Sequence, residues 1–396
     1  MGISVRMGAV TAGLVLTACS SATGPGIRVS RITISPDTVR LIAPDSLQLT
    51  ASPLDGQGHL ISGVSIIFAS PDPAVATVSP LGVLQAVGFG TTSVTVSGGG
   101  ATAHLPVFVG TKTLLGSRPF GAAVSPKGVV YVTQLDNAQV ARADLPGHTF
   151  STSVNVGSVP TSVTFDSAGS TAYVTNQADL NVGVIDVASN TETSTLTPPG
   201  NGNTAVVRSA PHGKLLWVTT TADSIFGVNE TTRAIVYRFG TGGWGNGIAF
   251  TPANDSLVYV GVQSGTVEEI NFKAGTVPRT FAVGGHPQGV AVSPDGTELY
   301  IADEVSDSVH VWSLVSGTRV GDIALDGTAF DLELSPDGTQ LWVGVIGAGE
   351  VQVVNRVDRT IARTYAVGGV VRRIALTKDG ATAVVANEGG WVHFLW

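Results

Sequence analysis

His286-Pro287-Gln288-Gly289-Val290-Ala291-Val292-Ser293-Pro294-Asp295-Gly296 decides the fold. A Gly/Pro approach leads into a short apolar strand, and Ser-Pro-Asp-Gly then turns the chain, with Pro fixing φ and Gly supplying positive φ. A second strand follows, led by Tyr300, and then a third. The same phrase returns from Gly116 to the C-terminus. Its second-strand positions are Tyr131, Tyr173, Trp217, Tyr259, Tyr300, Trp342 and Val384, spaced by 42, 44, 42, 41, 42 and 42 residues. Turn glycines Gly128, Gly169, Gly213, Gly296, Gly338 and Gly380 keep the same beat, and Asn254-Asp255 stands in for the fourth. Continuous apolar runs such as Val129-Val130-Tyr131-Val132 suit strands buried on both faces. A period near 42 with four strands per unit predicts a β-propeller.

The chain ends set the expected blade count. The seventh unit supplies three strands: Arg372 to Leu376, Ala381 to Ala386 and Trp391 to Trp396. An orphan strand, Thr111-Lys112-Thr113-Leu114-Leu115, precedes the first unit and is expected to be the outer strand of the last. Seven blades closed three plus one follow, an arrangement that removes exposed edges.

The repeats resemble the YVTN family, close to the quinoprotein and lactonase-like superfold. The carrying residues are Tyr173-Val174-Thr175-Asn176, Tyr131-Val132-Thr133-Gln134, Val184-Ile185-Asp186 and the stretch from His286 to Gly296. The resemblance spans 111–396 and implies the propeller fold; it does not imply one activity, since the superfold hosts many chemistries. WD40 repeats are disfavoured, because no unit joins a Gly-His start to a Trp-Asp end.

Residues 27–110 read as seven or so short strands, an Ig-like β-sandwich. They resemble a group-2-type bacterial Ig-like domain through the stretch from Phe68 to Val78, Gly82-Val83-Leu84 and Gly88-Phe89-Gly90-Thr91-Thr92. Phe68 stands where that family carries a core Trp. Residues 1–18 read as a signal peptide: Arg6 gives the positive end, and Met7 to Leu16 are too few to span a membrane. Leu16-Thr17-Ala18-Cys19 resembles a lipobox, which implies lipidation of Cys19, with 19–26 as tether; the plain alternative is an ordinary cleavage site leaving a free thiol. Ser20 resembles outer-membrane sorting, and the side of that membrane stays open. The expected location is the cell envelope, with the membrane engaged through the lipid anchor alone.

Composition excludes several classes. A net charge of −8 argues against a nucleic-acid partner. One cysteine excludes a disulfide framework, an iron–sulfur cluster, a CxxCH haem and thiolate zinc. There is no GxSxG, no HExxH and no phosphate-cradling loop ahead of a helix.

In an up-and-down blade, the lead-in loops and the loops between second and third strands share one face, at the channel mouth. The candidate ligand-binding residues there are Arg118, Trp244, Asn246, His286, Gln288, Phe330, Asp331, Asp303 and Arg372. Trp244, between Gly243 and Gly245, can stack on a sugar or aromatic ligand or can plug the channel. His286 with Asp331 or Asp303 suits proton transfer, although His-Pro also simply begins such strands. Asp303-Glu304 with Asn246 or Asn176 suits a divalent cation, although acidic loops are more often only solvated. His212 falls on the far face, and His59, His104, His148, His310 and His393 look isolated. No cofactor and no metal ligand set is assigned beyond that cation, and catalytic residues stay unassigned.

Two functions follow. The favoured one is a lipid-anchored envelope scaffold whose propeller face binds a protein, peptide or glycan. The alternative is a lactonase-like envelope hydrolase or lyase at the channel mouth. Redox work with a quinone or haem d1 ranks third, since no His pair is evident.

Overall fold

The computed structural model describes residues 28–251 and 254–396. Cys19, the signal segment and the whole tether lie outside the described residues. Every regular element among them is a strand. Six antiparallel sheets of four strands follow one another from Pro119 to Ala366, each strand pairing with its neighbour in sequence. The three strands Val371–Leu376, Ala383–Asn387 and Trp391–Leu395 continue the pattern. The innermost strands form a closed ring of contacts. Pro119–Val124 packs on Pro160–Phe165, and so on through Thr204–Ser209, Gly245–Thr251, Pro287–Val292 and Ala329–Leu334 to Val371–Leu376, which returns to the first. Repeated antiparallel sheets of this kind fit a β-propeller.

The second strands explain the apolar runs. Val129–Gln134 and Leu215–Thr220 are buried at every position, because each lies between two neighbouring sheets. Trp217, Tyr131, Tyr173, Tyr259 and Tyr300 are among the largest fully buried side chains. Tyr131 stacks on Phe165 of the next sheet at 5.0 Å and donates its hydroxyl to Asn190 at 2.8 Å. A buried ring thereby keeps its polar atom satisfied. Burial pushes the Tyr173 phenol up to about 12.

The Ser-Pro-Asp-Gly turns close on their own side chains. Ser293 Oγ accepts the N–H groups of Thr297 and Glu298, and Asp295 accepts from Ser293 and Thr297. The Ser293 and Thr297 bonds lower Asp295 to about 2. Gly296, at φ +70°, supplies the left-handed residue that the turn requires.

The N-terminal residues form a separate core around Val39, Leu49, Leu84, Val94, Val96, Leu105 and Val107. Phe68 packs against it only partly buried. The alternating stretch Ser46 to Ala51 does not form one strand: Ser46–Gln48 and Thr50–Leu54 belong to different sheets. Val39–Ala43 is a strand that alternation did not reveal; it pairs in parallel with Val107 to Thr111.

The boundary placed at residue 110 falls inside a single strand. The orphan strand expected at Thr111–Leu115 is the end of a longer one, since Ala101–Leu114 runs unbroken for 14 residues. Its first part pairs with Gly90–Gly98, and Thr111 to Leu114 pair with Phe394 to Trp391. One backbone therefore serves the N-terminal unit and the last of the repeated sheets. Gly110 sits at the crossing because a Cβ there would lie 2.8 Å from the Phe394 carbonyl oxygen.

Candidate functional site

Each innermost strand carries a β-bulge near its start, between Pro119/Ala122, Pro160/Ser162, Thr204/Val207, Gly245/Gly247, Pro287/Gly289, Ala329/Asp331 and Val371/Ile374. A bulge re-aims a side chain that regular alternation would send elsewhere. Seven equivalent residues at these bulges, Phe120, Thr161, Ala205, Asn246, Gln288, Phe330 and Arg372, line one cavity of about 350 Å³. Thr133, Thr175 and Thr219 on the second strands accept N–H groups at the first three bulges, from Gly121, Ser162 and Val206. The irregular backbone is thereby satisfied without water.

Arg372 forms the centre of the mouth. Its guanidinium lies 4.4 Å from the Phe330 ring centre and 5.3 Å from that of Phe120, and it donates to Glu388 at 3.0 Å. Arg118 donates to the other Glu388 oxygen at 3.0 Å, and this bond holds Arg118 firmly in its charged form. Phe120 and Phe330 meet edge to face at 5.9 Å. Gln288 donates to Glu304 at 2.7 Å. Asn246 Nδ2 and Arg372 Nε are buried without a hydrogen-bond partner.

Trp244 stands at the rim and is 46% exposed, so it does not plug the channel. Its loop is stapled on both sides. Gly242 N–H donates to the buried Glu268 at 2.9 Å, Thr241 Oγ1 donates to the Gly243 carbonyl at 2.8 Å, and Gln263 N–H donates to the Trp244 carbonyl at 2.8 Å. Gly245 is needed because a Cβ there would meet Thr219 at 2.6 Å.

Below the mouth, period-two alternation sets two further layers of the channel wall. The upper layer is Gly121, Ser162, Val206, Gly247, Gly289, Asp331 and Arg373; the lower is Ala123, Thr164, Arg208, Ala249, Ala291, Glu333 and Ala375. They enclose about 550 Å³. Small residues dominate, and each layer holds one arginine with one carboxylate. Arg373 binds Asp331 at 2.8 Å and reaches the Asn246 carbonyl at 2.9 Å. Arg208 binds Glu333 at 2.7 Å, and the Glu333 charge raises the pKa of this guanidinium. These contacts bridge strands 125 and 127 residues apart in sequence, so they cross-brace the channel.

The expected acid–base pairs do not form. Asp331 accepts from Arg373 and from the Ile374 N–H at 2.8 Å, and no bond joins it to His286. Asp303 accepts the backbone N–H of His286 at 2.7 Å; the His286 side chain is exposed and takes no part. Asn387, at the matching place two sheets on, accepts the Val370 N–H at 3.0 Å in the same way. Asp303 is thus a loop staple. Its side-chain partner is His310, expected to be isolated, which is buried between Asp303 at 3.3 Å and Asp322 at 2.9 Å. Nor does Asp303 meet Asn246 or Asn176. Asn176 is buried and donates to Asn181 at 2.8 Å, and among the described residues no group of three or more His, Cys, Asp or Glu is placed to hold a metal. His212 is exposed on a hairpin whose Pro211 lines the opposite end of the channel.

Of the nine candidates, Arg118, Trp244, Asn246, Gln288, Phe330 and Arg372 line the mouth, Asp331 lies one layer down, and His286 and Asp303 lie outside both cavities. Ala205, Gln177 and Gln263 also line the mouth, and Arg208 and Glu333 brace the channel; none of these was a candidate. Ala205 occupies the repeat position of the candidates Asn246, Gln288, Phe330 and Arg372, so aligning the seven units position by position contains its signal, whereas Arg208 and Glu333 fall in the lower layer, where no candidate lay.

No protein-family model matches the chain, and no curated protein matches it. Among solved structures it is similar to Kuenenia stuttgartiensis hydrazine synthase, a β-propeller-containing protein, with a TM-score of 0.63 and 16% identity over 71% of this chain and 96% of that one. At such low identity the likeness is one of fold. In all, 1826 solved chains match, which is what a widely used scaffold gives and carries no information on chemistry.

Proposed function

We propose that this protein is a lipid-anchored envelope binding protein whose mouth cavity receives a protein, peptide or glycan. We read the architecture as an Ig-like sandwich followed by a seven-bladed propeller, the last blade taking its outer strand from Thr111 to Leu114. The closed ring of seven innermost strands and the Phe394-to-Trp391 pairing support that reading. The anchor rests on the sequence around Cys19.

One observation carries the functional part: the commitment of the carboxylates. Asp331 and Asp303 give their oxygens to Arg373, His310 and backbone N–H groups, and the carboxylates at the opening are paired as well, Glu388 with Arg118 and Arg372, Asp136 with Arg118 and Glu304 with Gln288, beside aromatic and amide side chains. A general acid or base needs a titrating group within reach of a substrate. A binding mouth needs shape, an aromatic surface and polar groups, and those are what line this cavity. The lactonase-like alternative relied on a His286–carboxylate pair, and the geometry does not favour it.

The test uses unanchored Cys19→Ala protein and isolated envelope fragments. Saturable binding is expected, and Gln263→Trp, which fills the cavity, is expected to abolish it while leaving the unfolding transition in place. Equal binding by Gln263→Trp would refute the proposal, as would turnover of a lactone or small ester.

A further inference from the structure

We infer that the mouth takes a neutral saccharide, one sugar ring lying against Trp244; this rests on the mouth being the binding site. Three observations converge. The first is a flat apolar surface held ready. Trp244 is the only one of the six tryptophans that is exposed, and three hydrogen bonds hold the loop backbone from which its indole projects. Tryptophan has two χ angles and a large face, so ordering it costs little entropy. The C–H face of a pyranose matches that surface.

The second is unsatisfied donors in the wall. Asn246 Nδ2 and Arg372 Nε are buried and unpartnered, which costs stability, and a side-chain rotation toward the cavity would give each an acceptor oxygen of a bound ligand. Both belong to residues of the ring that lines the cavity. The third is the balance of charge. Arg118 and Arg372 face Glu388, Glu304 and Asp136 around the same opening, and Arg118 and Arg372 are already paired with Glu388. That opening does not select an anion, because its carboxylates at least match its guanidinium groups. It does not select an extended apolar segment either, because carboxylates, amides and guanidinium groups share its wall. Sugar hydroxyls donate and accept at once, and carboxylates beside amide donors are the complement they need. A cavity of about 350 Å³ sits at the small end for organic ligands, suited to a terminal unit and not to a buried long chain.

The experiment titrates Cys19→Ala protein with short neutral gluco-, manno-, galacto- and chito-oligosaccharides by calorimetry. Acrylamide quenching of tryptophan emission is the second readout, since Trp244 dominates the accessible fraction. At least one saccharide is expected to bind with Kd at or below about 1 mM and to shield the quenchable emission. Trp244→Ala is expected to weaken it about ten-fold or more, Trp244→Phe less, and Asn246→Leu also, with stability not lowered in any of the three. Absence of saccharide binding overturns the inference, as does a saccharide that binds Trp244→Ala or Gln263→Trp as it binds the parent. If Gln263→Trp abolishes envelope binding and peptides compete where saccharides do not, the mouth stands as a peptide site and the saccharide assignment falls. If Gln263→Trp leaves envelope binding intact, the mouth itself is wrong.

Discussion

Replacing Gly110 by alanine tests whether the two halves of the chain share one close-packed crossing. The added Cβ would lie 2.7 Å from Trp396 Cζ3, 2.8 Å from the Phe394 carbonyl oxygen and 3.2 Å from Leu395 Cδ2. A side chain can swing away, but the carbonyl belongs to a strand that pairs with this one. Trp396 is also held: it stacks on Phe108 at 6.0 Å, meets Tyr365 edge-on at 5.5 Å, and its carbonyl accepts the Tyr365 hydroxyl. Relief therefore requires a backbone shift of a few tenths of an ångström. Overpacking of that kind costs about 1–3 kcal/mol. Losing glycine's freedom in the unfolded chain returns about 0.4–1 kcal/mol. The net expectation is a loss centred on about 1.3 kcal/mol and reaching about 2.6 kcal/mol. Gly56→Ala is the control, because nothing lies within 4 Å of its would-be Cβ, so only the unfolded-chain gain remains and the sign reverses. Denaturant unfolding followed by tryptophan emission reads both, since Trp391 and Trp396 flank the crossing. Gly110→Ala protein as stable as the parent would refute the argument.

Burial pushes His393 down to about 3, with Lys112 reinforcing the shift, whereas the unfolded chain titrates near 6.5. Below pH 6.5 the unfolded state binds a proton that the folded state refuses, so stability falls toward pH 3 by up to about 1.4 kcal/mol per unit. His148, lowered by burial, acts in the same sense. Asp295, Asp337 and Asp379 are lowered carboxylates that add their loss only below about pH 3.8. A pH series of unfolding midpoints between 4 and 6.5 should therefore flatten in His393→Gln; an unchanged slope would refute it. Cys19→Ala is expected to shift the protein from the detergent phase to the aqueous phase, and unchanged partition would remove the anchor.

The repeat was legible because two-sided burial writes itself as an aromatic-led apolar run every 42 residues or so. The mouth was legible in part, since the lead-in loops hold Phe120, Asn246, Gln288, Phe330 and Arg372 at matching positions. Other features were hidden for physical reasons. Gly110 reads as punctuation between strands, yet here it is a point of close approach within one. Val39–Ala43 owes its strand to a parallel partner far along the chain. His310 looks isolated because its two carboxylates come from the flanking strands. A carboxylate near a histidine in sequence suggests proton transfer, but Asp303 takes the His286 backbone amide and leaves the imidazole alone.

The strand Ala101–Leu114 has a mechanical consequence. At about 3.3 Å per residue, 14 residues make a strut of roughly 46 Å with no hinge along it. A tension applied between the N-terminal end of the chain and a ligand held at the mouth would run along this strut. For a load along its axis, the rungs of its two interfaces, with Gly90–Gly98 and with the strand Trp391–Leu395, lie across the pull. Their rungs are then sheared together and do not peel one after another. If the chain is anchored through Cys19 as proposed, the head would hold its bearing under drag, and would give way at the crossing by a single abrupt slip.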